Sequence, residues 1–236
     1  MAVMTEPNHP ETDFTPRQRE VLDAVLQLIV REGDSFSVAR VAREASCSKE
    51  TLYKWFGDRD GLLTATVRWQ ASQVTAGEYD GLPLDMVRLQ AALEDFAANW
   101  LSVISSPTSL ALNRVAVSHA GSGKSRLGKI LLANGREAVA DRLKALLQAG
   151  QKSGLLNIVD TEDAFRTFLG LVGRDLQIRL LLGEGPAPDS AANKARAARA
   201  AEQFLALFAN EGGGKIHPGK AVQTPPSGQL ELAIKS

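Results

Sequence analysis

The chain has 236 residues, with 27 basic and 27 acidic side chains, so its formal net charge is zero and any positive surface for a nucleic acid has to be local. Hydrophobic residues make up 44% of it, which suits one or two globular domains, and charged residues interrupt every apolar run before the ~18–20 residues of a membrane span. A single cysteine, Cys47, excludes an intrachain disulfide, and His9, His119 and His217 are scattered, so no metal, cofactor or catalytic residue is expected.

Residues 1–14 lack a basic stretch followed by an apolar block, so they read as a flexible polar leader and not as a signal peptide, and a cytoplasmic protein is expected. From there the apolar residues recur at helical spacing almost to the end, with no alternating β-branched run, and the fold class is all-α. Thr15 is a good N-cap, Pro16 suits the first helical position, and Val21, Leu22, Val25, Leu28 and Ile29 form one stripe that stops at Gly33. Two short helices follow. One runs from the cap Ser37 through Val38, Val41, Ala42 and Ala45, and the other from the cap Ser48 to Phe56 and Gly57. Asp58 then caps a fourth helix carrying Leu62, Leu63, Thr66 and Val67.

Gly77, Gly81 and Pro83 mark a change to longer helices. Met86, Leu89, Leu93, Phe96, Trp100 and Leu101 form a stripe ended by Ser105, Ser106 and Pro107; a shorter helix spans about Leu110 to Ala120 and breaks at Gly121 to Gly123. A long helix is expected from Leu127 to Gly150 or Gly154. Thr161 reads as the cap of the next, with Glu162 and Asp163 in its first turn and a stripe from Phe165 to Leu176. The last runs from Asp189 to about Asn210, and residues 211–236, rich in Gly, Pro and Ser, read as a disordered tail.

The informative segment is SVARVAREASCSKETLYKWFGDRDGLL, residues 37–63. Two short helices joined by about three residues are what a helix-turn-helix requires, the second presenting its first turns to a major groove. Leu52 and Phe56, four apart, share an inward face, while Ser48, Lys49, Thr51, Tyr53 and Lys54 supply donors, cations and hydroxyls on the other. Arg59 opposes the dipole of the helix it begins, and a phosphate docked there would remove the conflict.

At these residues the chain resembles the TetR family of tetracycline-repressor-like regulators: Val41-Ala42, Ser48-Lys49, Leu52-Tyr53-Lys54-Trp55-Phe56 and Arg59-Asp60-Gly61-Leu62 match its pattern over residues 15–70. The resemblance implies base or phosphate contacts from Lys49, Glu50, Thr51 and Tyr53, and phosphate contacts from Ser37, Ser48, Lys54, Trp55 and Arg59. It departs from the family in Ser46, where a turn glycine is common, in Cys47, where a small aliphatic residue is usual, and in Arg59 for lysine. A left-handed Ser46 would cost about 1 kcal/mol. Cys47 is read as a buried structural thiol, with a redox switch as the lesser alternative.

The resemblance implies an N-terminal three-helix DNA-binding head (15–70) and a helical bundle (71–210) that dimerises and binds a small ligand. Phe96, Trp100, Asn113, Arg114, His119, Phe165 and Phe168 are the candidates for its pocket. Gly170 and Gly173, each costing roughly 1 kcal/mol in a helix, suggest close approach of another helix. With Phe204 and Phe208 of the last helix they mark a candidate four-helix dimer interface.

The expected function is a homodimeric, sequence-specific regulator of a palindromic DNA operator, usually a repressor in this family, released by an unknown small molecule, with no membrane role. The alternative is a nucleotide-binding enzyme using the Gly121 to Ser125 turn. The stretch 118–125 ends like a phosphate-binding loop, but Ser118 stands where that loop needs glycine and the preceding residues read as helix. Leu155 to Asp160 is at best a weak strand for such a site. An unspecific DNA-coating protein is disfavoured by the neutral charge.

Overall fold

The computed structural model describes residues 14–75, 84–121 and 125–210. The leader before Phe14, the signals at Gly77, Gly81 and Pro83, residues 122–124 of the glycine-rich turn and the tail from Glu211 lie outside the described residues. All described elements are helical, and the one β-bridge, Leu156 with Ala209, is isolated.

Helix α1 (Pro16–Glu32) starts with a capping box: the Gln18 backbone N–H donates to the Thr15 hydroxyl oxygen at 3.3 Å, and the Thr15 N–H donates to the Gln18 side chain at 2.9 Å. A single 3₁₀ turn, Gly33–Ser35, leads to α2 (Val38–Glu44), α3 (Lys49–Phe56) and α4 (Arg59–Ser72), whose caps are Ser37, Ser48 and Asp58. Gly61 is required by its neighbours, since a Cβ there would lie 1.9 Å from the Phe56 carbonyl oxygen. Val21, Leu22, Val25, Leu28, Val41, Leu52, Leu62 and Leu63 are all buried in one core, where each side chain contributes roughly 1.5–3 kcal/mol. That core also takes in Leu112, Val115, Leu127 and Ile130 from the following helices, so the head is seated on the rest of the chain.

The second half differs from the sequence reading in four places. Ser106 and Pro107 end α5 (Met86–Ile104) and also begin α6 (Pro107–Ser118), as its N-cap and first residue, three residues earlier than expected. The single long helix is three pieces: α7 (Leu127–Leu131), a π-helical turn (Leu132–Arg136) and α8 (Glu137–Lys152). The cap of α9 (Thr161–Gly173) is Asp160, whose carboxylate accepts from the Glu162 and Asp163 N–H groups at 2.8 and 3.4 Å; Thr161 is already helical. Leu176 belongs to a separate helix, α10 (Leu176–Leu181), because Arg174 takes a φ of +44° and breaks the chain direction. Helix α11 (Ser190–Phe208) is capped by Asp189 as expected and packs along α5 and α9.

Phe96, Phe168, Phe204 and Phe208 form a continuous aromatic column, with centroid separations of 6.3, 5.2 and 4.7 Å in turn. The second core grows around it from Leu89, Leu93, Leu143, Leu147, Phe165 and Val172.

Candidate nucleic-acid interface and adjoining cavity

Helix α3 is pinned by buried Leu52 and by Trp55 and Phe56, both half-buried and packed edge to face at 6.1 Å. Its opposite side carries Ser48, Lys49, Glu50, Tyr53 and Lys54, all exposed, with Thr51 half-buried beside them. Ser48 caps the helix by accepting from the Thr51 N–H, and its hydroxyl is 3.1 Å from that of Thr51. Hydrogen bonds from its own N–H and from the Ser48 hydroxyl hold the Glu50 carboxyl below its ordinary range, so this acid is turned back onto the start of α3.

The turn before α3 has the left-handed residue the sequence raised: Ser46 has φ +48°. The Arg17 guanidinium of α1 donates to the carbonyl oxygens of Ala45 and Ser46, and the pairs Arg31–Glu44 (2.7 Å) and Arg40–Glu32 (3.2 Å) tie α2 to α1 and its end. Cys47 is half-buried against this core, and burial pushes its thiol above the ordinary value while Arg17 pulls the other way. Ser37 is exposed and caps α2. The guanidinium of Arg59 lies over the buried ring of Phe36, 4.8 Å from its centroid. That cation–π contact offsets within the chain part of the dipole conflict for which the sequence invoked a phosphate.

The face leads straight to a cavity. Helix α4 has Leu62, Leu63 and Val67 in the head core, and its last turns put Val67, Gln70, Ala71 and, just beyond the helix, Val74 in the wall of a space of about 320 Å³. Trp100, Val103 and Ile104 of α5 and Ser109, Leu112 and Asn113 of α6 form the next walls. Leu132, Gly135 and Arg136 of the π-turn, with Leu131, Val139, Leu169 and Gln177, complete it. Gln70 accepts from the Thr108 hydroxyl at 3.0 Å, and Arg142 donates to the Ala71 carbonyl at 2.8 Å, so the end of α4 is fastened to α6 and α8.

Of the seven residues expected at a pocket, Trp100 and Asn113 line this one. Phe96, Phe165 and Phe168 are instead fully buried in the core, because their neighbours on facing helices close over them. Arg114 is turned away, donating to the Leu180 and Leu181 carbonyls at 2.7 and 3.2 Å, and His119 is the C-cap of α6. Gln70, Ser109, Arg136 and Gln177 were missed, since nothing local to them marks a cavity wall assembled from distant segments.

Among the interface candidates, Gly170 is exposed with open space where a Cβ would stand, and Phe208 is half-buried on Phe204. Gly173 makes room for an aromatic ring and not for a helix: a Cβ would lie 3.0 Å from Cη2 of Trp100. Phe204 is wholly enclosed by its own chain, whereas Ile178, Leu182 and Leu207 on the same helices or just beyond them are exposed.

Residues 91–210 match a family model described as the C-terminal domain of AefR-like transcriptional repressors. Among solved structures, a TetR transcriptional regulator from Agrobacterium tumefaciens is 44% identical, with a TM-score of 0.73 over 84% of this chain and 97% of that one. A TetR-family regulator from Mesorhizobium loti shares the fold at 22% identity, TM-score 0.66, over 82% and 97% of the two chains. No curated protein sequence matches the chain.

Proposed function

Because the chain belongs to the TetR family of DNA-binding transcriptional regulators, we propose that it is a repressor that grips a palindromic operator as a homodimer and lets go when a small molecule fills the cavity beside α4. The observation that carries this reading is that one helix, α4, supplies both the head core and the cavity wall. A ligand that fits the cavity better when α4 is displaced favours the head spacing that no longer matches DNA, and the coupling is reciprocal.

In this reading residues 15–70 are the DNA-binding head and 71–210 the ligand-binding and dimerisation domain, flanked by a leader and a tail. Lys49, Glu50, Thr51 and Tyr53 face base edges or phosphates, and Ser37, Ser48, Lys54, Trp55 and Arg59 hold phosphates. The second copy packs on α9 to α11, where Gly170, Ile178, Leu182, Leu207 and half-buried Phe208 offer an apolar surface. Gly173 and Phe204 support that surface from inside. No cofactor, metal or catalytic group takes part, and the protein works in the cytoplasm.

Selection of genomic fragments by the purified protein, followed by footprinting at fixed salt, tests it. Two protected half-sites about 34–36 Å apart, or a multiple of that, are expected. A stable monomer with no preference for any duplex sequence would overturn it.

A further inference from the structure

The cavity has one charge. Among the described residues that line it, Arg136 is the only ionised side chain, and no carboxylate faces the space. A cationic ligand would lose its hydration there with nothing to replace it, which is unfavourable by several kcal/mol or more. The remaining walls are aliphatic around the Trp100 ring, with polar groups from Gln70, Ser109, Asn113 and Gln177.

Arg136 closes the π-helical turn, an insertion that recurs at functional sites. Its side chain keeps 42% of its surface exposed, so it stands at the mouth of the cavity while the apolar walls lie deeper. Two cations lie 5.3 Å from the centroid of buried Phe165, and their partners differ. Lys144 is bonded to Glu162 at 2.5 Å, whereas Arg136 approaches Glu137 only to 3.6 Å, beyond hydrogen-bond length. The ring steadies the guanidinium, and its planar fork fits a carboxylate with two parallel hydrogen bonds.

We propose that the ligand is an apolar weak acid: a body of one or two rings enclosed beside Trp100, with a carboxylate held by Arg136 at the mouth. The volume of about 320 Å³ lies at the small end of ligand sites and sets that size. The inference rests on the cavity being the ligand site, as proposed above.

Calorimetric titration of the full chain with matched acid and amide pairs, benzoate with benzamide and 2-naphthoate with 2-naphthamide, tests it. In at least one pair the acid binds about three- to tenfold tighter than its amide, a range set by the partial exposure of Arg136. Arg136→Gln abolishes the preference with the melting temperature kept, and Arg136→Lys keeps part of it. An amide that binds as well as its acid, or a preference that survives Arg136→Gln, overturns the ligand class and leaves the cavity reading standing. Binding of both members that survives Val103→Trp, which fills the cavity, or no binding of any probe, overturns the cavity reading as well.

Discussion

The Arg17 guanidinium donates to the carbonyl oxygen of Ser46, 29 residues along the chain, at 3.2 Å. Ser46 is the left-handed residue of the turn between α2 and α3, and Arg17 also reaches the Ala45 carbonyl, so the first helix braces the turn that aims the recognition helix. Replacing Ser46 by Gly removes the steric conflict of a Cβ at positive φ, less the extra freedom it gives the unfolded chain, for a net gain of about 0.5–1 kcal/mol. Arg17→Met leaves two carbonyls without their charged donor and costs about 1–2 kcal/mol. Urea unfolding checks both signs; a loss of stability in Ser46→Gly would mean that the turn is not left-handed.

Gly61→Ala is expected to be far worse than its chemistry suggests. The added Cβ would stand 1.9 Å from the Phe56 carbonyl oxygen, a backbone atom that moves only if the end of α3 moves. The cost is about 2–3 kcal/mol, at the upper end for overpacking. DNA binding falls further than stability, because the displaced element is α3 itself. Circular dichroism melting with operator titration separates the two effects.

The parts legible in the sequence were those written in local chemistry. Thr15, Ser37, Ser48, Asp58 and Asp189 all cap the helices they precede, because an oxygen one residue ahead of an amphipathic run has one obvious use. The exposed side of α3 followed from the spacing of Leu52 and Phe56. What the sequence hid depends on tertiary context. No residue from Leu132 to Arg136 announces a π-turn, and Arg174 is not a residue type expected at positive φ. Aromatic stripes looked like pocket walls, yet Phe96, Phe165 and Phe168 are closed over by neighbours far away in the chain. The cavity itself joins α4 to Gln177, a juxtaposition no window of sequence contains.

Lys49 and Arg59 separate two kinds of DNA contact. Lys49 is exposed on the first turn of α3, so Lys49→Ala relaxes base preference at one operator position by about 1–3 kcal/mol if the side chain reads a base edge. Arg59→Ala weakens all sequences alike and lowers the salt slope by about 1, the signature of one lost phosphate contact. Because Arg59 also lies on Phe36, the variant loses some packing in the head, so its melting temperature is measured alongside. Anisotropy titrations on specific and scrambled duplexes at several salt concentrations decide the matter; identical curves for both variants and the parent would remove the proposed contacts.

Glu162 gives stability an acid limb. Hydrogen bonds from Lys144 at 2.5 Å and Arg166 at 2.8 Å hold its carboxyl below the ordinary 4.5. A carboxyl depressed in the folded state contributes stability that is fully present above the unfolded value and is lost as pH falls through the folded one. Glu162→Gln therefore lowers the melting temperature at pH 7, and its difference from the parent shrinks as pH falls below 4.5. A difference that stays constant with pH would mean that the pairs carry no charge-dependent stability.

Gly173→Ala sets helix propensity against the fit of one ring. A Cβ at this position gains about 1 kcal/mol of helix propensity relative to Gly, but it would stand 3.0 Å from Cη2 and 3.2 Å from Cζ3 of Trp100. In a filled core that contact would strain the protein. Here Trp100 borders a cavity of about 320 Å³ and can yield into it by a few tenths of an ångström. The variant should therefore melt within a few degrees of the parent, with a stability change below about 1 kcal/mol, while binding of 2-naphthoate weakens as the ring takes up its space. Strong destabilisation with unchanged probe binding would show that the Trp100 ring does not yield toward the cavity.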